Sequence, residues 1–365
     1  MKEKGADKNF LLDKEGKKIP FFCGKNLLIF FIIIFFSIIL IAIFTLKFSQ
    51  SIENLSVCGD GTNYNLCSER KPYFCSDGVL IENADLCGCS ENSTIENDNC
   101  MFKYQTDSKE IVLNYTLRGE KKQINFVAYG GLANYLSELP NPISYRGNEK
   151  PSRSDFKLRN INEAEQRNLL LPLVTEIQNI ADNQDDQVRI AVSLVQEIPF
   201  GSSGKLTELS DFQTEDSRYP YEVLFDDEGV CGEKSELLAF LLKEMGYEIV
   251  IFYYKPENHE AVGIKCPIKY SVGETGYCFV ETSGPSIITN SELSYSGGLK
   301  LSSVPEIILI SRGYSLNEDL YEYKDAKEFA ALEKKIEKNG GLNIFEQSKL
   351  EELREKYNLD GPYNL

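Results

Sequence analysis

From Leu27 to Leu46 the chain runs 20 residues without a charge, most of them Ile, Phe and Leu. A helix of that length covers about 30 Å, the thickness of a bilayer core. A cleaved leader has a shorter apolar stretch followed by small residues, and Lys47-Phe48-Ser49-Gln50 offers no small-x-small cleavage site. An uncleaved membrane anchor, in contact with lipid over residues 27–46, is therefore expected. Residues 1–26 carry seven lysines, whereas the far side opens with only Lys47. The positive-inside rule then places the N-terminus in the cytosol and everything after Phe48 outside the cell.

The cysteines agree with that placement. Six of the ten (Cys58, Cys67, Cys75, Cys87, Cys89 and Cys100) fall within 43 residues just past the apolar run, among many Gly, Asn, Asp and Ser residues. Such density reads as a small disulfide-stapled module in an oxidising compartment, with 15 possible pairings. Three glycosylation sequons, at Asn54, Asn92 and Asn114, lie on the same outer segment. A redox role for Cys87-Gly88-Cys89 is a weaker alternative to a purely structural one.

A net charge of −17 argues against nucleic acid as a partner, because phosphate binding needs a basic face. One histidine and no ribbon-like cysteine pairs make a metal site unexpected. An apolar fraction of 42% is enough for a true core. Glu110–Leu117 and Gln123–Tyr129 alternate around Arg118-Gly119-Glu120 and read as a hairpin. Gly130–Leu139 reads as a short helix, and 140–154 as a connector rich in Pro, Asn, Gly and charge. Asn162-Glu-Ala-Glu165 resembles a capping signal for a helix over 166–182, and a second helix is expected over 185–196. Cys231–Met245, with Leu237, Leu238, Leu241 and Leu242 on an apolar face, ends where Gly246 stands. Strands are expected at 247–254, 259–266 and 276–282, and two charged helices at 325–338 and 344–357, broken at Gly340-Gly341. The resulting parts are a cytosolic tail (1–26), an anchor (27–46), the cysteine module (47–101), a hairpin and connector (102–150), an α+β catalytic domain (151–315) and a helical tail (316–365).

The only histidine, His259, lies 28 residues after Cys231 and 22 before Glu281. Cysteine, histidine and carboxylate are the parts of a thiolate nucleophile, its base and the group that orients the base. Cys231 falls at a helix start, where unpaired N–H groups and the positive dipole end stabilise an anion. His259 falls at a strand start. Cys266 and Cys278 have opposite strand parity to His259 and Glu281, so both face away from the catalytic face and can pair with each other. Were His259 directly opposite Glu281, Cys278 would lie across from Val262, and the bond would need a folded-back loop or a bulge. With that bond formed and Cys23 in the cytosolic tail, Cys231 remains as a free thiol outside the cell.

Gly229-x-Cys231-x-Glu233-x-Ser235, the leucines that follow, His259-x-x-Val262 and Glu281-Thr282 resemble the transglutaminase-like superfamily of papain-type cysteine enzymes, in particular its membrane-anchored archaeal members. The resemblance covers roughly residues 160–290, including Val195–Phe200 and Arg218–Leu224. It implies a papain-like α+β core with a catalytic triad of Cys231, His259 and Glu281, no cofactor, and a protein or peptide substrate at the cell surface. The family's third member is usually Asp, and Glu281 is one methylene longer. The family often draws an oxyanion donor from an upstream Trp or Gln; this chain has no tryptophan, and Gln196 is the candidate. Hydrolysis of amides is the simpler expected outcome than cross-linking. The alternative is a catalytically inactive surface module that binds an envelope partner through the same fold.

Overall fold

The structure is a computed structural model of the chain. It describes residues 57–140, 150–201, 217–292 and 300–359, with short pieces at 10–12, 18–20 and 33–38. Residues Met1–Ser56 and Val57–Leu365 form separate units. In the first, β1 (Phe10–Leu12) pairs antiparallel with β2 (Lys18–Pro20), and residues 33–38 are helical. The rest of the expected anchor over 27–46, and Cys23, lie outside the described residues. Among the described residues no helix is long and apolar enough to cross a membrane.

The second unit opens with the cysteine module. It has two small hairpins, β3 (Tyr73–Ser76) with β4 (Val79–Glu82) and β5 (Ser93–Glu96) with β6 (Asn99–Phe102), joined through the single-turn helix α1 (Ala84–Cys87). Its six cysteines pair as Cys58–Cys75, Cys67–Cys87 and Cys89–Cys100. The module's own buried apolar centre is only Cys58, Tyr73, Cys75 and Leu80, so cross-links replace the core that so short a segment cannot build. It is seated on helical residues further along the chain. Arg70 donates to the Gln178 side chain at 2.7 Å, Asn179 exchanges two hydrogen bonds with the Leu80 backbone, and Gln187 donates to the Gly59 carbonyl.

The long hairpin is β7 (Ser108–Leu117) and β8 (Glu120–Tyr129). Its loop is two residues, Arg118 and Gly119, both at positive φ, the geometry that matches strand twist. The turn is thus one residue tighter than the Arg118–Glu120 turn read from sequence. Ile111, Leu113 and Tyr115 on one strand, and Ile124, Phe126 and Ala128 on the other, face the core. Helices α2 (Gly130–Ser137) and α3 (Arg153–Ile161) follow. The second begins inside the expected connector, started by a capping box between Ser152 and Asp155. Asn162 ends that helix, and the side chain of Glu163 caps α4 (Ala164–Ile180) by accepting from the N–H groups of Glu165 and Gln166. Next come α5 (Gln184–Glu197), capped by Asn183, and the short α6 (Pro220–Asp226).

Helix α7 (Cys231–Glu244) is buried on every side: Leu237 to Leu242 are all fully enclosed, and so are Lys234, Ser235 and Glu236. It packs under a four-stranded antiparallel sheet of order β11-β10-β9-β12, formed by Tyr277–Val280, His259–Lys265, Ile249–Tyr254 and Glu306–Ser311. The fourth strand, β12, was not expected from the sequence. The C-terminal helices α8 (Glu322–Asn339) and α9 (Ile344–Tyr357) break at Gly340, which takes the left-handed conformation that ends α8. They pack on the same unit, Tyr323 entering the main core and Arg189 holding Glu322 through two bonds of 2.6 and 2.9 Å. The chain from Val57 is a mixed α+β unit with four disulfides.

Candidate active site

Cys231 is the first residue of α7, and three local arrangements fix it there. Glu233 reaches back to accept the Val230 N–H at 3.0 Å and also accepts the Arg218 N–H at 2.9 Å, so its carboxylate closes the helix start. Gly229 is held in a short parallel bridge with Phe200: its N–H donates to the Pro199 carbonyl, and its carbonyl accepts from Gly201. The Thr282 hydroxyl donates to the Cys231 carbonyl at 3.2 Å, and Ser235 supports that hydroxyl at 2.9 Å. Cys231 is half-buried and is the free cysteine among the described residues.

His259 opens β10 and is 7% exposed. Its Nε2 lies 2.9 Å from Oε2 of Glu281, and Cys231 is close enough to act on the charge of the ring. Glu281 follows β11 and is fully buried. Its other oxygen accepts the N–H groups of Thr282 and Ser283 and the Ser283 hydroxyl, at 2.9, 2.8 and 2.7 Å. A carboxylate with four donors around it cannot rotate, so it sets the ring's orientation. Burial alone would depress the His259 pKa. The interactions with Cys231 and Glu281 outweigh burial and raise it to about 10.

The register explains why glutamate serves here. β10 and β11 pair Val262 with Val280 and Ile264 with Cys278. Continued by one residue, that register sets Glu281 level with Ala261, so His259 is its diagonal neighbour rather than its opposite one. A diagonal gap of about 7–8 Å between backbones suits the longer side chain. The same two-residue difference brings Cys266 and Cys278 onto one face as diagonal neighbours. They form a disulfide with Cα atoms 5.7 Å apart, and the loop carries no bulge in the paired strands.

Gln196 sits close to this group but points elsewhere. It is buried, and its amide nitrogen donates to the carbonyls of Glu281 and Ser286 at 2.9 and 3.2 Å. Both amide protons are engaged by backbone, so none is left for an oxyanion; the residue braces the turn that carries Glu281. Sequence reading also passed over Lys234. Its ammonium is buried and donates to the carbonyls of Gln196, Ile198 and Ser283, and burial lowers its pKa to about 8. The signal available was a charge within a helix whose flanking leucines occupy more than one face.

Chemically, a thiol next to the imidazole can pass its proton to the ring, and the buried carboxylate stabilises the imidazolium that results. Comparison of the chain with protein-family models, with curated proteins and with solved structures finds no match.

Proposed function

We propose that this chain is a membrane-anchored extracellular cysteine enzyme, transglutaminase-like with a papain-like core, that acts on peptide or side-chain amides through Cys231, His259 and Glu281. The observation that carries the proposal is the 2.9 Å bond from a single histidine to a buried carboxylate held by three further donors, with an unpaired cysteine near enough to act on the ring's charge. Four disulfides suit an oxidising compartment, in which a thiol left unpaired has a use. Residues 27–46 hold the chain in the membrane, with the tail of lysines in the cytosol.

In the proposed reaction the Cys231 sulfur attacks the amide carbon and its electron pair forms the C–S bond. The imidazolium of His259 gives its proton to the departing nitrogen as the C–N bond breaks, leaving a thioester. Water then attacks the thioester carbon, His259 takes its proton, and the acid leaves as the thiol is restored. The Cys231 N–H, in a first turn where no intrahelical carbonyl is available, donates to the oxyanion in place of Gln196.

The test is incubation of the ectodomain with denatured casein and a fluorescent primary amine. Ammonia released without amine incorporation, or new amino termini, that depend on Cys231 and His259 support hydrolysis. Amine incorporation into casein would shift the assignment to transamidation. No product of any kind, with a thiol that is also unreactive, leaves the inactive binding module in its place.

A further inference from the structure

Resting on the reading of Cys231 and His259 as nucleophile and base, we infer that Lys157 is a positioning residue that sets the distance between them. Lys157 belongs to α3, an element outside both the nucleophile's helix and the base's strand. Its buried ammonium lies 2.6 Å from Glu236 of α7 and 2.6 Å from Glu260, the residue that follows His259. One cation thus ties the cysteine helix to the histidine strand. Arg153, one turn earlier on α3, pairs with the other Glu260 oxygen at 2.8 Å and stacks over the Tyr253 ring at 3.7 Å. Tyr253 is the cross-strand partner of Glu260. Lys157, Glu236 and Glu260 are buried, and Arg153, about 32% exposed, closes the cluster on its outer side. Removing one cation strands a carboxylate in the interior and forces the surrounding elements to move apart or take in water.

The contact comes within one residue of each reacting group. A Cβ on Gly232, immediately after Cys231, would stand 2.5 Å from Oε2 of Glu260 and 3.2 Å from the Lys157 ammonium. Those groups are clamped by their partners, so Gly232 has no side chain because the nucleophile's helix abuts the cluster directly. Glu260 and Gly232 therefore meet as the chain neighbours of His259 and Cys231. The separation of thiol and imidazole follows from that contact.

The experiment is the rate of iodoacetamide alkylation of Cys231 from pH 5 to 10, read by mass spectrometry, in the ectodomain and its Lys157→Met and Gly232→Ala variants, each with a melting curve. The expected result is that Lys157→Met slows alkylation at pH 7 at least tenfold and moves the profile's midpoint upward. Gly232→Ala, which leaves every charge in place, should move it the same way and keeps the test open if Lys157→Met does not fold. A lower melting temperature with pH profiles that superimpose on the unaltered protein overturns the inference, since the cluster is then merely structural. A thiol that is unreactive in the unaltered ectodomain overturns the site reading itself, and the inference with it.

Discussion

Replacing Glu281 with glutamine separates the charge of the carboxylate from its shape. The amide oxygen still accepts from Thr282 N–H, Ser283 N–H and the Ser283 hydroxyl, so the turn keeps its three bonds. The NH2 group now faces Nε2 of His259, where the carboxylate oxygen stood at 2.9 Å. It can donate but not accept, so Nε2 must lose its proton and the ring can no longer be an imidazolium without breaking that bond. A hydrogen bond to a charged group is worth about 1.5–3 kcal/mol, which corresponds to about 1–2 pH units. The His259 pKa, about 10 with the carboxylate present, falls by that amount, because the burial that opposes the charged ring remains. The thiolate–imidazolium pair loses the same stabilisation, so alkylation of Cys231 at pH 7 should slow by about 10–100-fold. The assay is timed iodoacetamide labelling with peptide mapping, alongside a melting curve. An unchanged labelling rate in a folded Glu281→Gln protein would refute the role given to the carboxylate.

Opening the Cys266–Cys278 link by a double serine substitution should cost about 3 kcal/mol in urea unfolding, from the 12-residue separation it closes; a loss below 1 kcal/mol would contradict this. Glu322→Ala removes the two-bond partner of Arg189 but leaves it paired with Asp186 at 2.7 Å, and should destabilise the unit by about 1.5–3 kcal/mol, read from the urea midpoint. Because the folded pKa of His259 is raised above its ordinary 6.5, the stability it adds is fully present below pH 6.5 and lost as pH rises through about 10. The difference in unfolding free energy between the unaltered protein and His259→Ala should therefore shrink steadily from pH 6 to pH 10, and a constant difference would count against the pairing. Gly263 lies under Val250 and Phe252, whose side chains a Cβ would meet at 2.5 and 2.7 Å, so Gly263→Ala should lose about 1–3 kcal/mol in thermal unfolding.

The elements legible in the sequence are those whose local signals and tertiary surroundings agree. The β7–β8 hairpin shows alternation on both strands. Helix α7 shows its leucines and a glycine at its end, and α9 matches the expected 344–357 at both ends. Helix α3 was hidden because its contacts are charged: Arg153 and Lys157 turn inward to Glu260 and Glu236, so no apolar stripe marks the buried face. Strand β12 was hidden for the opposite reason. Ile308 and Ile310 are buried while Ile307 and Leu309 are about 40% exposed, and a run apolar on both faces carries no alternation. The site's residues were visible as a cysteine, a lone histidine and a carboxylate, but the register between β10 and β11 was not. That register decides the diagonal reach of Glu281 and the pairing of Cys266 with Cys278, and it depends on turn geometry between residues 266 and 276 rather than on any motif. Gln196 shows the limit of reading one residue at a time: its chemistry suits an oxyanion, and only the fold reveals that two carbonyls already hold it.

The most direct test of the account is brief iodoacetamide labelling of the ectodomain at pH 7, with and without His259→Ala, followed by mass spectrometry of the peptide that carries Cys231. A thiol activated by His259 should be modified rapidly at Cys231 alone, and at least tenfold more slowly once the histidine is lost. A Cys231 that labels no faster than an unfolded thiol, or equally fast without His259, would contradict it.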